Sequence, residues 1–491
     1  MGLGAKIAQN TGIQIIGKIL ATVLGIASVL LMTRYLDPAG FGAYTTIITF
    51  LSFFALIADL GLTLVTVQMI SDPEADENKI LNNLFTFRLI SILILIGIAP
   101  LIALFFPYSA NLKMGILITA LSFVFPALNQ ILVGLFQKKL TMNKVALAEV
   151  IGRIIILVGV IVAIKFNLGL NFILWILVIS AAINFLIQFV AARRFVKLKL
   201  AFDYEIWRRA LSKSWPLALT IVFNLIYLKT DTLILSLLKP QFEVGLYGAA
   251  YRVIDILITL PYMFSGIILS ILTTNWLTKK YDNFRKVFQK SYDFMIILAI
   301  PLTVGAQFLS TEIMTTIGGE KFAAAGPILR ILTGAASLIF ISCILAHAII
   351  AVDRARRVIG AYAFTSVTAV IGYLYFIPKF SYIGAAWMTI YSEAIITILL
   401  ALALYKHTKI RINFKITFKA LIASGIMALF IFCLPKNLYI QPLGLILVLI
   451  SSTIVYTLTL LLIKAINKED IKMFMPGKNS TAINDFNLEN K

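Results

Sequence analysis

Apolar positions along the chain fall in long unbroken runs, not in alternation or heptads. Runs of about 20 residues with few charges are what a helix needs to cross a bilayer, where every backbone polar group must be satisfied within the segment. A membrane β-barrel would show alternating segments of about ten residues, and none is present. The runs predict spans at 11–33, 43–68, 84–106, 114–136, 145–164, 171–191, 214–238, 246–274, 291–311, 327–350, 358–377, 383–404, 420–434 and 442–464. The expected fold class is all-α integral membrane, with about 14 transmembrane helices.

Composition sharpens this picture. Of 491 residues, 60% are hydrophobic and 13% charged, against about 25% charged in soluble domains. The net charge of +21 would suggest nucleic acid if it formed a basic domain. Instead the cations sit in short loops and alternate in density. Alternate loops and both ends together hold thirty of the 43 Lys and Arg, and the intervening loops hold seven, one each: Arg34, Lys113, Lys165, Lys239, Lys321, Lys379 and Lys436. Cationic loops stay cytoplasmic, so both termini are expected inside the cell, in a multi-pass protein of the inner (cytoplasmic) membrane, with no nucleic-acid partner. Cys343 and Cys433 lie within spans and imply neither a disulfide framework nor a metal site. Residues 1–11 carry no cleavage pattern and read as the approach to a first membrane helix.

The longest break between spans contains Asp203-Tyr-Glu-Ile-Trp-Arg-Arg-Ala-Leu-Ser-Lys213, which reads as an interfacial amphipathic helix. The basic, aromatic 276–290 segment reads similarly. An internal repeat divides the chain at that break. Leu36-Asp-Pro38-Ala-Gly-Phe-Gly42-Ala-Tyr44 matches Leu238-Lys-Pro240-Gln-Phe-Glu-Val-Gly245-Leu-Tyr247. Pro100-Leu101 matches Pro301-Leu302, and Lys165-Phe166 matches Lys379-Phe380, in the same order and at a near-constant offset. The expected organisation is a bundle of spans 1–6 (1–200), a linker helix (201–213), a bundle of spans 7–12 (214–404), two added spans (405–464) and a polar tail (465–491). Repeated halves around a midplane cavity are a transporter plan.

The stretch Thr33-Arg-Tyr-Leu-Asp-Pro-Ala-Gly-Phe-Gly-Ala-Tyr44, with Asp59-Leu-Gly-Leu and Val244-Gly-Leu-Tyr-Gly-Ala-Ala-Tyr-Arg252, resembles the polysaccharide-unit (Wzx-type) flippases. These belong to the multidrug/oligosaccharidyl-lipid/polysaccharide exporter superfamily. The resemblance spans nearly the whole chain in helix count, loop lengths and half-repeat. It implies a V-shaped pair of bundles and alternating access. It also implies a substrate, a sugar unit on an isoprenoid (pyro)phosphate delivered from inner to outer leaflet. A polysaccharide polymerase and glycosyltransferases of the same pathway are the partners it implies, beside the bilayer.

Charges inside hydrocarbon cost a few kcal/mol and usually face a cavity or a partner. The spans hold Lys18, Arg88, Arg153, Lys229, Arg252 and Arg330 against Asp59, Glu149, Asp231, Asp255 and Glu393. A diphosphate leaving water needs cations to replace its hydration, so the six cations are the candidate headgroup contacts. Lys18, two turns inside an apolar helix, is the foremost. The bland alternatives are local. Glu149–Arg153 and Arg252–Asp255 have ion-pair spacing, Arg88 and Arg330 are near enough to span ends to snorkel, and Asp59 could pair with Lys18. Glu393, Asp59 and Asp231 are the candidates for a coupling ion. There is no G-x-x-x-x-G-K-[ST], G-x-S-x-G, H-E-x-x-H or Cys/His cluster, so no catalytic residue, metal or cofactor is expected. An ion gradient, membrane potential or substrate concentration must drive transport. Two other functions fit the architecture: an exporter of amphipathic drug cations from the same superfamily, and a membrane-embedded polysaccharide polymerase or ligase. The first would favour carboxylates in its cavity, and the second would need a large outer loop.

Overall fold

The computed structural model describes residues 3–59, 61–70 and 76–465. Leu60 and most of the polar tail expected at 465–491 lie outside the described residues. The described chain is built from α1 (Leu3–Asp59), α2 (Leu62–Ile70), α3 (Glu77–Leu104), α4 (Ala110–Lys138), α5 (Asn143–Phe166), α6 (Gly169–Ala192), α7 (Tyr204–Leu238), α8 (Gln241–Leu257), α9 (Thr259–Leu277), α10 (Tyr281–Gly318), α11 (Gly326–Ala351), α12 (Ile359–Thr408), α13 (Lys415–Cys433) and α14 (Pro442–Leu462). No strand occurs among the described residues. Among the described residues, twelve stretches are long and apolar enough to span a membrane. Two of them, in α1 and α12, each join two helices across a kink, which accounts for fourteen spans.

The junctions are tighter than the sequence suggests. No loop separates the first two spans, because a single residue, Asp37 (φ 57°), turns the backbone before Pro38. Ser381 (φ 50°) does the same after Pro378. Pro38 disfavours helix at Asp37, the residue before it, whereas Pro378 lies three residues ahead of Ser381 and removes one helical N–H there; in each case one strained residue replaces a loop. The expected 246–274 span divides into α8 and α9 at Ile258, three residues before Pro261, whose ring cannot donate to the Leu257 carbonyl. The linker helix is not separate. Starting at Tyr204, it runs unbroken into its span as α7.

The chain forms two compact units. The first comprises Met1–Arg252, Ile317–Ile328 and Arg356–Ile395. In it α4 and α5 pack on α6, and α5 on α1. The repeat motifs meet in this unit. A Cβ on Gly42 would run into the Gln241 carbonyl, and one on Gly245 into the Pro38 carbonyl. The glycines of the two G-x-Y motifs therefore let the second limb of α1 and the start of α8 touch backbone to backbone, and Thr46 Oγ1 donates to Gln241 Oε1 at 2.8 Å.

The linker is strapped to α3. Asn82 donates to Lys197 O (3.0 Å) and accepts from Lys199 N (3.1 Å), and Ala201 N donates to Thr86 Oγ1 (2.9 Å). Asp203 caps α7 by accepting from Glu205 N and Ile206 N and pairs with Lys79 at 2.7 Å. The Lys79 ammonium and the Ile206 amide hold the Asp203 carboxyl below its ordinary value.

The second unit comprises Val253–Thr316, Leu329–Ala355 and Ile396–Lys491. Its α13–α14 hairpin packs Ala423, Met427, Ile431, Leu445 and Leu460 with Leu309 of α10. Tyr456 Oη donates to Ile297 O at 2.8 Å.

Candidate functional site

Three groups of intramembrane polar residues in the first unit contain residues singled out in the sequence. The first lies on the α1–α5 seam, where Gly17 lets α1 approach Ala146 closely. Lys18 Nζ pairs with Glu149 Oε1 at 3.1 Å, with the side chains 48% and 30% exposed. Two turns further along α1, Gly25 faces the Arg153 guanidinium, and Arg153 is itself exposed. Glu149 thus reaches across to Lys18 and not along its own helix to Arg153. A half-exposed ammonium two turns into an apolar helix requires water or an anion beside it. The seam therefore presents cation, carboxylate, cation among apolar side chains.

The second group is closed. Arg88 is 1% exposed and does not snorkel. Its guanidinium pairs with Asp59 Oδ1 at 2.9 Å and donates to Ala58 O, Ala127 O and Gln130 Oε1. Ala58 O is a terminal carbonyl of α1, left open where Gly61 (φ 71°) ends the helix. The forked donors of Arg88 fill that gap. Asp59 consequently belongs to Arg88, not to Lys18, and this pair joins α1, α3 and α4 with its donors engaged.

The third group is a buried polar core between α7, α8 and α12. Asp231 is fully buried. Its Oδ2 accepts from Tyr247 Oη (2.6 Å) and Thr389 Oγ1 (3.3 Å), and its Oδ1 accepts from Thr232 N (2.5 Å) and Thr232 Oγ1 (3.1 Å). Tyr373 Oη donates to Tyr227 O at 2.8 Å. Glu393, one turn beyond Thr389 on α12, is 1% exposed. Two side-chain hydroxyls of other helices and the neighbouring Thr232 amide and hydroxyl thus meet the buried carboxylate, which is not left without donors.

The remaining candidates are dispersed. Lys229 Nζ lies 4.3 Å from the Tyr251 ring centre, and the Arg252 guanidinium 5.8 Å from that of Tyr44. Arg330 is exposed on α11, in the second unit. Tyr247, Thr389 and Tyr373 were not among the sequence candidates. Tyr247 was nevertheless visible as the tyrosine of the second G-x-Y, as Tyr44 is of the first.

The sequence pattern of the family described as "Polysaccharide biosynthesis protein" matches residues 7–273. Among curated proteins, the chain is 23% identical over 249 residues to "Probable flippase AglR" of Haloferax volcanii, covering 50% of this chain and 52% of that one. It is 27% identical over 205 residues to "Probable low-salt glycan biosynthesis flippase Agl15" of the same organism, covering 40% and 43%. The chain thus spans about half the length of the curated relatives it matches. Among solved structures, the fold matches "Lipid II flippase MurJ, inward closed conformation" with a TM-score of 0.76, at 19% identity, over 91% of this chain and 97% of that one.

Proposed function

The chain belongs to the polysaccharide biosynthesis protein family, and from that premise we propose that it is a flippase for an isoprenoid-(pyro)phosphate-linked oligosaccharide. It carries the glycan from the inner to the outer leaflet of the cytoplasmic membrane, for cell-surface polysaccharide or glycan synthesis. Alternating access moves the cargo, and a pathway polymerase and glycosyltransferases act after and before it. The half-exposed Lys18–Glu149 pair with Arg153 beside it carries this reading. An incoming phosphate can replace Glu149 against Lys18, so the site loses one charge-assisted contact as it gains another. Arg153 offers a second, forked contact. Lys229, Arg252 and Arg330 are secondary candidates for the headgroup's path. Arg88 supports the site without touching cargo. Asp231, with Glu393 nearby, is the coupling site, taking up a proton or monovalent cation that offsets its buried charge. The names of AglR, Agl15 and MurJ as flippases are consistent with this assignment.

The test is leaflet exchange of a fluorescent isoprenyl-diphosphate sugar in vesicles holding the purified protein. K18A/R153A slows exchange by about 100-fold or more if each cation supplies a charge-assisted contact of at least about 1.5 kcal/mol, with folding intact. Unchanged exchange in that variant removes the seam from the pathway. Efflux of amphipathic cations, without sugar-lipid movement, sinks the flippase reading and favours a drug exporter.

A further inference from the structure

A second cationic feature belongs to the second unit. The start of α10 and the 409–414 stretch that joins α12 to α13 enclose a recess of about 630 Å³, within the range of about 300–1,000 Å³ typical of ligand sites. Arg285, Lys286, Lys290, Lys409 and Arg411 line it, with one carboxylate, Asp293.

Cationic loops at this face are expected on topology grounds alone, but a topogenic loop has no need of a fixed shape. This one is fixed on two sides. Gln289 Nε2 donates to Asn413 O at 2.9 Å, and Gln289 Oε1 accepts from Asn413 N at 2.9 Å. One amide side chain therefore grips both backbone groups of a residue more than a hundred positions away. The same Nε2 donates to Asp293 Oδ1 at 2.9 Å, so the recess carboxylate is tied into the clamp. Beneath it, Ile412 packs against buried Tyr292, Ile296 and Ala420, and Tyr292 meets the Phe414 ring edge to face at 6.2 Å. Asn413 Oδ1 then accepts from Lys415 N at the start of α13.

The outcome is five cations lining one clamped recess that holds a single carboxylate, Asp293. Arg285 has a loose contact with Asp282 at 3.8 Å, both well exposed, which contributes little. Holding like charges together in a concave surface is unfavourable until an anion enters. Arg and Lys together suit phosphate, one by forked donors and the other by point charge. The recess residues also lie within a turn or two, along the chain, of the apolar stretches of α10 and α13. We infer that it is a binding site for a phosphate group at the membrane edge, supplied by an anionic lipid headgroup or by a soluble phosphate. This assignment is independent of the transport reading.

The test uses the full chain in phosphatidylcholine nanodiscs with phosphatidylglycerol as a minor component, and native mass spectrometry reads lipid retained after release. R285Q/K290Q/R411Q is compared with R193Q/R194Q/K197Q, which removes equal charge at a basic segment of the first unit. The expected result is a loss of about fivefold in affinity per recess charge removed and little change in the control. The charge-preserving R285K/K290R/R411K stays near wild type and guards against misfolding. A parallel arm adds inorganic pyrophosphate to protein in phosphatidylcholine alone and follows thermal stability. Stabilisation of wild type but not of the recess variant supports the site with a soluble source, and selective lipid retention supports it with a lipid source. Equal losses in the recess and control triples, or no response in either arm, overturn it.

Discussion

At the scale of single residues, the membrane makes the choice of partner decisive, because an ionised group in hydrocarbon without one costs several kcal/mol. Arg88 and Lys18 represent the two outcomes. Arg88 is buried with Asp59 and three further acceptors, whereas Lys18 holds one carboxylate and keeps about half its surface open. The first arrangement builds structure, and the second keeps an ammonium accessible, as the proposed cargo contact requires. R88M should therefore destabilise the protein by about 3–5 kcal/mol, since it strands Asp59 and open carbonyls, and D59N in the same chain should recover part of the loss. Thermal unfolding in detergent measures both. An R88M midpoint no lower than that of R330M, which alters an exposed arginine, would mean the guanidinium is not structural. Asp231 makes a different prediction. D231N keeps the shape: its Oδ1 can accept from Thr232 N while its Nδ2 donates to the Tyr247 and Thr389 hydroxyls, which can turn to accept, so folding and substrate binding persist. Its transport should lose dependence on the ion gradient, read as equal exchange rates with and without an imposed pH or sodium gradient.

At the scale of helices, the repeat explains a packing detail that neither half shows alone. Gly42 and Gly245 are equivalent in the repeat, and each removes the side chain that would strike the other helix's carbonyl. G42A and G245A should each cost about 1–3 kcal/mol by overpacking. G97A, on a helical glycine with nothing nearby, should be neutral or gain up to about 1 kcal/mol from helix propensity. Stability of G42A equal to that of G97A would show that the two helices do not need their close approach. The repeat motif was legible because Pro, Gly and Tyr recur at matching places. The meeting of the two glycines was not, because it depends on which helices become neighbours. The spans were legible for a simple reason: hydrocarbon thickness sets run length, and run length is written locally. Charge partners are nonlocal. Spacing favoured Glu149 with Arg153, yet helix contact joined Glu149 to Lys18. The same limit hid Asp231's hydroxyl donors on α8 and α12.

At the scale of the whole chain, the topology rests on two residues, Asp37 and Ser381. If α1 were one continuous crossing, its apolar 48-residue stretch (Gly12–Asp59) would be about 72 Å long at 1.5 Å per residue, more than twice the hydrocarbon core of about 30 Å. The backbone turn at Asp37, and the matching one at Ser381, must therefore reverse the chain for each limb to fit. Charge agrees, since counting α1 or α12 as one crossing would put the densely basic loops outside. Single cysteines in a C343S/C433S background decide between the counts, using an impermeant maleimide on intact cells. With fourteen crossings, positions 113 and 165 label and positions 197 and 286 do not. With α1 and α12 each crossing once, those four reverse, while position 436 labels and position 406 stays protected under either count. The pair that does not change verifies cell integrity and the orientation of the ends, so a reversed pattern at the other four can only mean that the chain does not turn at its two kinks.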